Sequence, residues 1–137
     1  MREIKHFIAG QATRGAATRD GDIYNPSTGQ IQATVCLGGA TDMEAAVQAA
    51  KKVQPEWAAT NPQRRARVMF AFKQLLEDNM DELAAMLSSE HGKVIADAKG
   101  DIQRGLEVIE FACGIPHLLK GEYTEGAGPG IDIYATR

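Results

Sequence analysis

The spacing of apolar residues changes character along the chain. In the first forty residues it is short and alternating: Phe7 and Ile8 precede Gly10, Ile23 and Tyr24 precede a polar turn, and Ile31, Ala33 and Val35 occupy every second position after it. Period-two patterning broken by turn residues predicts strands. The turn is Asn25-Pro26-Ser27-Thr28-Gly29. Pro presets φ, the Asn side chain bonds back to the local backbone, and Gly accepts positive φ. Residues 23–35 therefore predict an antiparallel hairpin.

From residue 41 the period becomes helical. Thr41-Asp42-Met43-Glu44 has the form of a capping box, with Thr41 as the cap and Glu44 reaching back. Met43, Val47, Ala50 and Val53 make one stripe, which Pro55 is expected to end, leaving Trp57 just beyond to anchor the connection to the core. Asn61-Pro62 opens a second helix. Its face runs through Met69, Phe72, Leu76, Met80, Leu83 and Leu87 to His91. A break is expected near Asn79, with Asn79 capping the restart and Glu82 in the box position. Gly92 and Lys93 read as a C-cap and a cation at the negative helix end.

The last helix is expected from about Val94 to Leu119, with Ile95, Ala98, Ile102, Leu106, Ile109 and Cys113 as its stripe and Pro116 kinking or stopping it. Gly100, Gly105 and Gly114 each destabilise a helix by about 1 kcal/mol relative to Ala, which points to close approach of another helix or a ligand. Residues 121–130 predict a loop. Their Gly-Ala-Gly-Pro-Gly has no strand before it and no helix after it, as a phosphate-binding loop requires. Residues 131–137 alternate like a strand, for which the front hairpin is the one visible neighbour.

The expected fold is α+β and mostly helical: three to four helices with a small N-terminal antiparallel β-hairpin, in one segment spanning 1–137. Within it, 1–40 form the hairpin region, 41–120 the helical region, and 121–137 a loop and a strand.

Composition narrows the function without naming it. The chain is 44% hydrophobic and 24% charged, with a formal net charge of −3. No apolar run reaches a membrane span. The nearest basic cluster, Arg64, Arg65 and Arg67, lies inside an amphipathic helix, which argues against a nucleic-acid surface. Cys36 and Cys113 are far apart and suggest a reducing compartment rather than a disulfide. His6, His91 and His117 are scattered, so no metal site is expected. The N-terminus lacks the apolar run of a targeting peptide, and the expected location is cytoplasmic.

Cys113 and His117, four apart, have the spacing of a nucleophile and its base. Pro116 interrupts them and no orienting acid follows, so packing is the reading for Cys113. Glu107 and Glu110 form a polar edge. For Arg104 two readings stay open. One is a surface ion pair with Asp101 or Glu107, worth a few tenths of a kcal/mol. The other is a carboxylate anchor, since a guanidinium fork binds a planar anion bidentately and Gly105 leaves room for it.

"YNPSTGQ" followed by "TDMEAAVQAAKKVQPEW" resembles the start of the aldehyde dehydrogenase superfamily. "NPQRRARVMFAFKQLLEDNMDELA", "SSEHGK" and "ADAKGDIQRGLEVIEFACGIPHLLKGE" resemble, more narrowly, its CoA-acylating branch, the methylmalonate-semialdehyde dehydrogenases. The resemblance covers essentially the whole chain, but only the front of that family. Neither Cys36 nor Cys113 matches the family's nucleophile motif, and no catalytic or cofactor-binding residue is expected in this chain. The resemblance implies a homo-oligomeric enzyme that uses NAD and coenzyme A. Its substrate would be malonate or methylmalonate semialdehyde, converted to acetyl-CoA or propionyl-CoA with loss of CO2, as in valine catabolism. It also implies that Arg104 binds the substrate carboxylate and that the chain is inactive alone. The strand at 131–137 would join an oligomerisation sheet, with an edge left bare for another copy. The rival expectation is a stand-alone, non-catalytic helical module that binds or oligomerises.

Overall fold

The structure is a computed structural model describing residues 1–137. In chain order its elements are β1 (Arg2–Ile4), β2 (His6–Ile8), β3 (Gln11–Thr13), β4 (Arg19–Tyr24), β5 (Ile31–Leu37), α1 (Ala40–Ala59), α2 (Pro62–Asp78), α3 (Met80–His91), α4 (Ile95–Cys113), α5 (Ile115–Leu118), β6 (Glu122–Gly128) and β7 (Ile131–Ala135). They fall into two compact units, one of Met1–Thr60 with Asp81–Gly100, the other of Asn61–Met80 with Asp101–Arg137.

In the first unit the expected hairpin is present. β4 and β5 pair antiparallel, with Gly21 opposite Val35 and Ile23 opposite Ala33. The turn works as its residues dictate. Asn25 N–H donates to Gln30 O at 2.8 Å, Asn25 Oδ1 accepts Ser27 N–H at 2.9 Å, and Gly29 takes φ +72. The sheet is larger than a hairpin, because β1 adds to β5 in parallel, Arg2 opposite Ala33. β5 has no proline, so all its N–H groups can serve a central strand; its Ala33 and Cys36 are buried. β2 and β3 form a second hairpin, turned by Ala9 and Gly10 at φ 51 and 78. Two consecutive positive φ values match a two-residue type I′ loop.

α1 departs from expectation at both ends. It starts at Ala40, capped by Gly39, so the box acid is Asp42, whose Oδ2 accepts Gly39 N–H at 3.0 Å. Glu44 instead accepts a bond from Gln48 at 2.6 Å. Pro55 does not end the helix; it lies inside. Four residues follow it, and Thr60 closes that turn by donating its N–H to Glu56 O at 3.1 Å and its hydroxyl to the same oxygen at 2.9 Å. Trp57 thereby sits on a helix, 48% exposed, and anchors no core.

α3 ends as predicted. Gly92, at φ +80, donates its N–H to Ser88 O at 2.8 Å, the αL cap that favours glycine. Ser88 Oγ adds a bond to Lys93 O at 2.6 Å.

In the second unit, Asn61 caps α2 through Gln63 N–H at 2.9 Å, with Pro62 in the first turn. The break at Asn79 exists, but Asn79 closes α2 rather than opening α3: its Nδ2 donates to Leu75 O at 2.7 Å. The stripe of α4 holds from Ala98 onward, with Ala98, Leu106 and Cys113 buried and Ile102 and Ile109 half-buried, while its expected first member, Ile95, is 45% exposed. The helix is shorter than expected. It stops at Cys113, and Gly114 caps the short α5 with Pro116 in its first turn.

The segment expected to be a loop, 121–130, is largely strand. β6 pairs antiparallel with β7, Tyr123 opposite Tyr134 and Thr124 opposite Ile133, so the C-terminal strand's neighbour is local. The glycines misled the reading because they serve the hairpin itself. Gly126, at φ +64, lies in an irregularity between Thr124 and Gly128, and Asp132 Oδ1 accepts its N–H at 2.9 Å. Gly130, at φ +69, follows Pro129 in the connecting turn. Tyr123 and Tyr134 stack with centroids 4.7 Å apart, and Tyr123 donates to Asp132 at 3.2 Å.

The buried apolar residues are small: Ala33, Cys36, Ala66, Ala84, Ala98 and Cys113, with Leu106 the largest. The chain exposes 10,243 Å², against roughly 7,000 Å² for a folded monomer of this mass. Large apolar side chains on its helices are therefore left without cover.

Candidate functional site

Arg104 stands on the third turn of α4. The helix buries Leu106 and Cys113 and presents Arg104 to the outside. Positions i+4 and i+7 share a face with i, and here they are Val108 and Phe111, 68% and 67% exposed. A Cβ placed on Gly105 would meet nothing within 4 Å, and the same holds for Gly100 one turn earlier. The close approach expected at Gly100 and Gly105 is thus not made by this chain, whereas a Cβ on Gly114 would stand 3.3 Å from Phe111 O; the helix surface beside Arg104 is open. What results is a guanidinium fork on a rigid element, next to an open glycine and above two apolar side chains. Chemically this can hold a planar carboxylate and pack against a short carbon chain.

The other candidates separate. Cys113 ends α4, buried and free, while His117 lies on α5, so no unbroken helix carries them on one face. Cys36 is also buried and free. Near Cys113, Lys73 pairs with Glu77 at 2.6 Å. That bond, with further attraction from Glu110 and Cys113, raises the Lys73 ammonium above its usual value. Glu107 and Glu110 are exposed. Arg64 and Arg67 are exposed too, while Arg65 is half-buried with its Nε lacking a hydrogen-bond partner.

No group of three or more His, Cys, Asp or Glu is gathered closely enough to hold a metal ion. No helix is long and apolar enough to cross a membrane. The glycines of 126–130 are spent on an irregularity and a turn of the β6–β7 hairpin. A phosphate cradle needs glycines leading into a helix N-terminus.

Other cavities lie away from Arg104. In the second unit, an apolar groove of about 230 Å³ is lined by Pro62, Ala66, Met69, Ala112, Ile115 and Pro116 among others. In the first unit, one of about 350 Å³ is lined by His6, Phe7, Gly38, Gly39, Asp42 and Met43 among others. Sequence reasoning missed this second place. Its signals were Asp42 within the expected capping box and the small residues at 15 and 38–39, which only folding brings together.

Comparison with known proteins gives this geometry a context. The profile of the Aldehyde dehydrogenase family matches residues 13–137. The malonate-semialdehyde dehydrogenase of Pseudomonas aeruginosa is 40% identical over 135 residues, which are 98% of this chain and 27% of that protein. That of Bacillus pumilus is 42% identical over 132 residues, 96% of this chain and 27% of that protein. Among solved structures, a methylmalonate-semialdehyde dehydrogenase from Sinorhizobium meliloti 1021, complexed with NAD, superposes with a TM-score of 0.90 at 63% identity, over 98% of this chain and 27% of its own. One from Oceanimonas doudoroffii gives 0.91 at 46% identity with the same coverage. The chain thus spans about 27% of the length of these relatives.

Proposed function

We propose, for a chain that belongs to the aldehyde dehydrogenase family, the function of N-terminal portion of a CoA-acylating semialdehyde dehydrogenase, with Arg104 as its anchor for the substrate carboxylate. The observation that carries the reading is the outward, open placement of Arg104 on α4. It occurs in a chain whose relatives are named for malonate and methylmalonate semialdehydes. Such substrates carry a carboxylate two bonds from the aldehyde carbon. A fixed guanidinium at the carboxylate end orients the aldehyde for attack, while Val108 and Phe111 offer apolar contact to the carbon between the two groups. Binding through two parallel N–H···O bonds fixes direction as well as affinity.

NAD as oxidant, coenzyme A as acyl acceptor and the nucleophilic cysteine are assigned to sequence beyond these 137 residues, and no chemical step is derived from this chain. Its contribution is positioning. The proposed enzyme works as a homo-oligomer in the cytoplasm, and residues 1–137 alone have no dehydrogenase activity.

The test is Arg104→Leu in an active enzyme that contains these residues. Loss of a charge-assisted pair should lower kcat/KM for malonate or methylmalonate semialdehyde roughly 10- to 150-fold. Propionaldehyde, which has no carboxylate, should be used about as well as before. Equal loss for both aldehydes would return Arg104 to a structural role.

A further inference from the structure

We propose that the last two turns of α1 carry a binding site for an organic cation of the guanidinium type, taken between the Trp57 ring and the Glu56 carboxylate. Val53, Glu56, Trp57 and Thr60 line a hollow of about 220 Å³. One helix can make it because residues three and four apart are neighbours on its surface. Val53 and Trp57 stand in one row, Glu56 and Thr60 in the next, and the hollow lies between the rows. Thr60 is the cap that closes α1. Its N–H and its hydroxyl are both committed to Glu56 O, at 3.1 and 2.9 Å, and the N–H also reaches Trp57 O at 3.2 Å. The backbone that carries Glu56 and Trp57 is thereby fixed.

Three features of the hollow favour positive charge. Glu56 is exposed and in no ion pair; Lys52, four residues earlier, makes none with it. The last turn of α1 holds no basic residue, so the negative end of its dipole is left uncompensated. The Trp57 indole is 48% exposed, and an indole attracts a cation to its π-face more strongly than any other aromatic side chain. An anion would meet the Glu56 charge. An apolar ligand would cover that carboxylate without pairing it, which costs free energy. A guanidinium does neither: it pairs with the carboxylate, stacks flat on the ring and, being weakly hydrated, gives up little water to do so. Val53, 59% exposed, meets the methylene stem behind the charge.

Trp57 is the single tryptophan of the chain, so its fluorescence reports on this hollow directly. Titration of the 137-residue chain with N-acetyl-arginine amide at constant ionic strength should change the emission saturably, half-complete at a concentration on the order of 10 mM. N-acetyl-citrulline amide, of the same shape without the charge, should leave it unchanged. Glu56→Gln, a substitution at an exposed position, should weaken the arginine amide roughly two- to fivefold. By NMR, the backbone amides of Glu56, Trp57 and Thr60 should shift with the midpoint of the fluorescence change. No saturable change, an equal change with the citrulline amide, or an arginine titration unaltered by Glu56→Gln overturns the site. Amide shifts confined to residues outside α1 overturn it as well.

Discussion

Pro26 rests directly on Gly92: a Cβ on Gly92 would stand 3.0 Å from Pro26 Cγ. The hairpin turn and the end of α3, 66 positions apart in the chain, thus meet backbone to ring. Two further contacts tie the sheet to the same helix end. Gln32 Nε2 donates to Ser89 O at 3.1 Å, and Arg2 pairs with Glu90 at 2.9 Å. Donors and cations near a helix C-terminus complement its exposed carbonyls and dipole, so the first unit is assembled around this corner.

Gly92→Ala should destabilise the first unit by about 1–2 kcal/mol, because Gly92 has φ +80 and an L-residue pays for the left-handed region. The close Pro26 ring adds to the cost. Thermal unfolding followed by circular dichroism checks it, and a Tm equal to that of the native chain would remove the corner from the account.

Asp42 should make the fold acid-sensitive in a stated direction. Backbone N–H groups of Ala16 and Gly39 lower its carboxyl below the ordinary 3.8. Its contribution is therefore fully present above that value and fades as pH falls through the lower folded value. Asp42→Asn should lower the Tm at pH 7 and lessen the further loss on acidification. Unfolding curves from pH 7 to about 2.5 test this. A variant whose Tm falls in parallel with the native chain at every pH would show that the charge is not what matters.

Ala84 has no exposed surface. Ala84→Leu should destabilise by about 1–3 kcal/mol through overpacking, while Ala85→Leu, at an exposed position on the same helix, should change stability by less than about 0.5 kcal/mol. Urea midpoints of the two variants make the comparison.

The isolated chain is expected to self-associate. It exposes 10,243 Å², and β6 and β7 form a sheet of two strands, leaving an unpaired edge on each. Light scattering should show mass rising with concentration above 14.8 kDa. A constant monomer mass at high concentration would contradict it.

Local chemistry was legible from the sequence. Asn25-Pro26 and Gly29 made the hairpin turn, Asn61-Pro62 opened α2, Gly92 closed α3, and the Ile102-Leu106-Ile109-Cys113 stripe turned inward, because each acts on residues a few positions away. Arg104 could be picked out as a fork beside a glycine for the same reason. The errors lie where distant partners compete with local preference. Pro55 was expected to stop α1, but helix on both sides carries it. Asp42 displaced Glu44 from the box because Gly39, rather than Thr41, adopts the cap geometry, and because Ala16 from a distant loop supplies a second donor. Residues 122–128 read as a loop from their glycines, yet β7 gives them the ladder partners that glycine-rich backbone alone does not specify. Only the tertiary structure decided which side of α4 is buried against neighbours and which is left open, and therefore that Arg104 faces outward. A helical period fixes which residues share a face, but packing alone chooses the face that meets solvent.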